Sequence, residues 1–161
     1  MTATTNPPLG ARSWLAGWAM TAIAFGVLDG AWLGVIAQGT YESAFGPLLA
    51  DPMNAPAAAA FYVIYTLGIT HFATAPGLRS RSIRTATLQG AALGLVAYAT
   101  FDLTSLAVIE GYPVGIVPID MAWGAFATSA AAAAATAVLR GRITRGGRDT
   151  APTAPAAPTR T

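Results

Sequence analysis

The chain has no cysteine and no lysine, a single histidine, and charged residues at only 10% of its 161 positions. Without cysteine there are no disulfides, thiolate nucleophiles, iron–sulfur ligands or c-type haem attachment. Without lysine there is no Schiff-base chemistry. One imidazole, His71, cannot build the clustered histidines of a membrane di-iron centre or a paired-His haem site. Neither a phosphate-cradling glycine loop nor a G-x-S-x-G elbow is present. No metal and no cofactor is therefore expected. The scarcity of charge also bears on the solvent. Soluble domains carry about a quarter charged residues, whereas this chain is 54% hydrophobic with a mean hydropathy of +0.52. Lipid is the expected surrounding, and the length supports one compact domain.

Four long apolar runs, at about 14–37, 57–75, 85–109 and 116–139, are each long enough to cross a bilayer, which takes about 20 residues. A cleaved signal peptide is the alternative for the first run, but the run is too long for a signal h-region. Residues 1–12 are polar and Pro-containing, and residues 140–161 are basic and then Pro/Ala/Thr-rich. Both ends are expected to be disordered. The expected core is thus residues 13–139. Within the one long connection, Tyr41, Phe45, Leu48 and Leu49 fall on one helical face, as in a short amphipathic segment lying in the interface. A loop folded over the helix ends is the alternative, since Gly46-Pro47 interrupts the pattern. The second run opens on Pro56 and is followed by Pro76-Gly77, which mark its expected limits.

All nine positive residues are arginines, and in a four-span chain they share one side: Arg12, the turn with Arg79, Arg81 and Arg84, and the tail from Arg140. The opposite loops carry only Glu42, Asp51 and Glu110. The positive-inside rule then puts both termini in the cytoplasm. The expected fold is all-α, a four-transmembrane-helix bundle oriented N-in/C-in. Its arginines form headgroup anchors and not a patch for nucleic acid, so membrane lipid is the expected partner, with a homo-oligomer left open.

Three acids break the apolar runs: Asp29, Asp102 and Asp120. A carboxylate in mid-span costs about 2.5–3.5 kcal/mol on insertion scales and by default marks function. At about 1.5 Å per residue across a core of about 30 Å, the three lie about 22–25 Å from the arginine side, in one layer. Tyr62 and Tyr65 of the second run fall close to that layer. Trp32 lies on the Asp29 face, Tyr98 is one turn before Asp102, and Trp123 is one turn after Asp120. Thr104 and Ser105 add hydroxyls beside Asp102. These ten residues form the candidate ligand-binding set. Gly26, Gly30 and Gly34 beside Asp29, Gly90 and Gly94 before Asp102, and Ala127, Ala130 and Ala134 after Asp120 are rows of small residues that permit close helix approach. Three carboxylates held together away from water would repel, so at least one is expected to carry a proton. The bland alternative is that each acid merely accepts hydrogen bonds across the bundle as glue, each worth about 0.6–2 kcal/mol. His71, near the arginine side, is expected to be interfacial or packed, not a ligand.

Asp29-Gly-Ala-Trp-Leu-Gly34 followed by Tyr41, Phe61-Tyr-Val-Ile-Tyr-Thr-Leu-Gly68, Tyr98-Ala-Thr-Phe-Asp-Leu-Thr-Ser-Leu106 and Asp120-Met-Ala-Trp-Gly124 together resemble a set of small bacterial membrane proteins, the domain-of-unknown-function 2177 family. The resemblance covers about residues 14–139; Ser105 stands where the pattern has Asn. It implies four inner-membrane spans and assigns no activity. Three readings stay open: a binding protein for a lipid-like or small polar ligand, proton or cation; an enzyme using an Asp pair for acid–base chemistry; and an assembly protein with the acids as glue. Nothing in the sequence marks catalytic residues, and the enzyme reading is the less favoured.

Overall fold

The computed structural model describes residues 9–146; the expected disordered ends fall largely outside them. Within those residues the chain is all-helical, with helices at Ala11–Ile36, Ala55–Ser80, Ile83–Val108 and Ile116–Gly141 long and apolar enough to cross a membrane. They run up and down as a four-helix bundle. A short helix, Gln38–Phe45, lies between the first two spans.

Local chemistry sets most of the helix ends. Asn54 caps the second span by accepting from the Ala57 amide at 3.1 Å, with Pro56 in the first turn, where its missing N–H costs nothing. Ser82 caps the third by accepting from the Thr85 amide at 3.1 Å. Arg81, in a left-handed conformation (φ 52°), makes the reversal between these two spans. Two limits differ from those expected. The second span does not stop before Pro76 but continues to Ser80, because residues Thr70–Thr74 are wound as a π turn. The wider turn absorbs the proline's missing donor and steric bulk. The fourth helix continues to Gly146, so that residues 140–146 of the expected tail are helical; Gly141 alone is too weak a breaker to end it.

Packing follows side-chain volume. The third and fourth spans make the most extensive contact, because glycines open the way. A Cβ on Gly94 would stand 2.0 Å from the Gly124 carbonyl oxygen, and one on Gly90 would stand 2.8 Å from the Ser129 Cα. The Gly26, Gly30 and Gly34 row, also expected to bring helices together, has nothing within 4 Å of any of its three positions. The first span instead buries Gly17, Thr21, Phe25 and Asp29. On the fourth span the buried face runs through Ala127, Ala131, Ala132 and Ala135, leaving Ala134 exposed. An apolar run of small residues offers every face as a candidate, and only the partner selects one.

The second span is wedged. Over residues 70–80 it packs closely on the third and fourth spans, with Gly77 against Ala86 and Thr136. Over residues 55–69 its main neighbour is the first span, where Phe61, Tyr62 and Tyr65 surround the fully buried Phe25 ring in edge-on contacts at 6.4, 6.1 and 5.2 Å. Small residues close the arginine-bearing end of the bundle, and bulky aromatics hold the other end apart.

Candidate functional site

At the arginine-free end, that separation leaves a cavity of about 420 Å³. Every span contributes to it: Asp29 and Leu33 from the first, Phe61 and Tyr65 from the second, Ala97, Tyr98 and Phe101 from the third, Asp120 and Trp123 from the fourth. Tyr41 of the short helix completes the lining. Phe61, Phe101 and Leu33 are 41%, 62% and 46% exposed, so the cavity reaches the outward, lipid-facing surface where the second and third spans part. Deeper in, the Tyr65 and Tyr98 rings meet edge-on at 6.3 Å and bridge the gap.

Asp29, 3% exposed, is held by donors from two other helices. The Tyr62 hydroxyl donates to its Oδ2 at 2.8 Å and the Trp123 Nε1–H to its Oδ1 at 3.1 Å. Each oxygen keeps one lone pair free. The Trp123 ring is fixed in turn by stacking on Trp32 at 4.3 Å and 8°. The Trp32 Nε1 is buried near the Tyr41 hydroxyl without closing a hydrogen bond to it. Trp32 begins a second π turn, Trp32–Ile36, which leads the chain over into the short helix.

Asp120, 6% exposed, accepts a hydrogen bond on Oδ1 from the Tyr41 hydroxyl. Its Oδ2 receives no donor among the described residues and is not sealed off as the Asp102 Oδ2 is. Burial, reinforced by that bond, raises the Tyr41 phenol above its ordinary value, so Tyr41 stays a donor at any physiological pH. The short helix is thereby pinned over the cavity, with the Tyr41 and Phe45 rings stacked at 6.0 Å.

Asp102 is placed elsewhere. It is fully buried, yet it does not line the cavity. Its Oδ1 accepts from the Tyr112 hydroxyl at 3.0 Å, while its Oδ2 is enclosed with no donor among the described residues. Burial and that bond push the Tyr112 phenol up to about 12. Asp102 ties the end of the third span to the following reversal, next to an apolar cluster of Tyr112, Ile116 and Val117. Ser105 is buried beside it, whereas Thr104 is exposed and turns its hydroxyl back to the Thr100 and Phe101 carbonyls.

Of the ten candidates from sequence, the structure brings Asp29, Tyr65, Tyr98, Asp120 and Trp123 onto one cavity. Tyr62 and Trp32 stand behind it as supports of Asp29 and Trp123. Asp102, Ser105 and Thr104 lie outside the lining. Sequence reasoning missed Leu33, Tyr41, Phe61, Ala97 and Phe101 as lining residues; Tyr41 carried a signal, the amphipathic face of its short helix, but not its aim toward Asp120. Among the described residues no group of three or more His, Cys, Asp or Glu side chains is placed to hold a metal ion. His71 is exposed, with its ring against Phe72.

The fold and site define a multi-pass helical membrane protein whose four spans enclose a side-opening aromatic and acidic cavity. Residues 14–137 match the family described as "Predicted membrane protein (DUF2177)", and the chain belongs to that family. Comparison with curated proteins and with solved structures found no match.

Proposed function

We propose that the protein binds an amphipathic, membrane-borne ligand in the cavity between its spans. The host is a bacterial inner membrane, with both termini in the cytoplasm and the cavity in the outer half of the bundle. The observation that carries this reading is the cavity itself: about 420 Å³, lined by carboxylates from two helices and reaching the lipid-facing surface between the second and third spans. Its volume falls in the range of small-molecule sites, which are mostly apolar with a few fixed polar groups. Glue alone would not need such a space. Interhelical hydrogen bonds in membranes go with close packing, whereas the acids here flank a gap. A ligand arriving from the bilayer would pass Phe61 and Phe101 and meet Asp29 and Asp120 at its polar end.

Ala97 lines the cavity with only a methyl group, so Ala97→Phe fills space without removing a hydrogen bond. Native mass spectrometry of protein extracted in mild detergent should find a retained small-molecule mass on the wild type, reduced about ten-fold or more on Ala97→Phe. A wild type that retains nothing, or a variant that retains as much, defeats the proposal.

A further inference from the structure

The ligand's headgroup can be assigned a charge from the cavity's chemistry; this rests on the binding reading above. Two of the lining side chains are carboxylates, and none is cationic. The arginines among the described residues lie at the opposite end of the bundle: Arg12 in the first turn of the first span, Arg79, Arg81 and Arg84 around the reversal between the second and third, and Arg140, Arg142 and Arg145 toward the end of the fourth helix. A phosphate or sulfate entering this cavity would meet two acids and no counter-charge, a costly encounter away from water. A cation meets the reverse. Asp29 has a free lone pair on each oxygen after accepting from Tyr62 and Trp123. Asp120 is 94% enclosed by its 6% exposure, lines the cavity, and has an Oδ2 without a donor among the described residues. Both acids are held by donors whose rings are fixed by stacking or burial, so neither can swing away. The rest of the lining is dominated by aromatic rings, among them Tyr65, Tyr98, Trp123 and Phe61. Rings around an acid are the usual recognition chemistry for an ammonium group, which is attracted to ring faces as well as to carboxylate.

We infer that the cavity selects a lipophilic ammonium: a primary amine or quaternary ammonium on one or more alkyl chains, its head between Asp29 and Asp120 and its chain leaving past Phe61 and Phe101. A membrane lipid with a cationic head and a free long-chain amine share this chemistry. Neutral amphiphiles of the same length lack the charge, and anionic ones carry the wrong one.

The test uses the full-length protein in a neutral maltoside detergent, with tryptophan fluorescence as the readout, because Trp123 lines the cavity and stacks on Trp32. The probes are tetradecyltrimethylammonium, tetradecanol and tetradecyl sulfate, plus a two-chain dioleoyl trimethylammonium lipid. The ammonium probes should saturate the signal at concentrations about ten-fold or more below the alcohol, with the sulfate weakest. Tighter binding of the two-chain probe assigns the ligand to the lipids, and tighter binding of the one-chain probe to free amines. Asp120→Asn keeps an acceptor for Tyr41 and removes the charge; it should weaken the ammonium probes about ten-fold or more and the alcohol by much less, so that the preference for ammonium over alcohol collapses. The wild-type series decides the matter even if that variant does not fold. Equal affinity for ammonium and alcohol, sensitive to Ala97→Phe, overturns the charge assignment while the cavity reading stands. Failure of every probe to bind overturns both.

Discussion

At the scale of single residues, the two stacked tryptophans give an internal control. Trp123 and Trp32 share one ring contact; the Trp123 Nε1–H donates to the Asp29 carboxylate, while the buried Trp32 Nε1 closes no hydrogen bond among the described residues. Replacing either by Phe removes a similar ring area, so their difference isolates the hydrogen bond to a carboxylate. Trp123→Phe should be less stable than Trp32→Phe by about 1–3 kcal/mol in detergent unfolding; equal losses would mean that the Asp29 bond contributes nothing. Tyr41→Phe tests the pin on the short helix. Losing the hydroxyl that donates to Asp120 should speed amide exchange across residues 38–45 while the spans keep their protection. Unchanged exchange there would show the helix is held by its apolar contacts alone.

At the scale of elements, the two glycine rows separate close approach from mere composition. Gly94→Ala would drive a methyl into the Gly124 carbonyl, and Gly124→Ala would drive one into the Tyr98 ring, at 2.0 and 2.2 Å. Each should cost about 1–3 kcal/mol through overpacking. Gly26→Ala and Gly30→Ala meet nothing within 4 Å and should be neutral or stabilising by up to about 1 kcal/mol, the difference in helix propensity. Thermal unfolding of the four variants in one detergent decides it. A common loss across both rows would refute the packing described. The sequence makes the same offer in both rows, since a four-residue period reveals a face but not what lies against it. The acids were legible for a different reason. A carboxylate within an apolar run has few tolerable positions, so Asp29 and Asp120 pointed inward before any contact was known. Asp102 met the same rule, yet its partner Tyr112 lies beyond the helix end, in a reversal whose path the helical period does not describe. The parting of the second and third spans was not legible at all. It comes from a contrast of volumes along one helix, Phe61, Tyr62 and Tyr65 against Ala73 and Gly77, and acquires meaning only once the neighbouring helix is in place.

At the scale of the whole molecule, the arginine asymmetry predicts the orientation. With both termini cytoplasmic, reporter fusions after Ala50 and after Arg148 should report the outer and inner sides respectively; the reverse result would turn the cavity toward the cytoplasm. The bundle's construction gives the cavity its place in either case. Close glycine packing ties the third and fourth spans together, the first span lies against the fourth, and the aromatic half of the second span packs on the first and parts from the third. The most direct test is an experimental structure of the protein in a lipid nanodisc. Elongated non-protein density is expected in the cavity, its head within reach of Asp29 and Asp120 and its tail passing between Phe61 and Phe101. A cavity closed by packing of residues 55–69 against the third span, with no such density, would contradict that expectation.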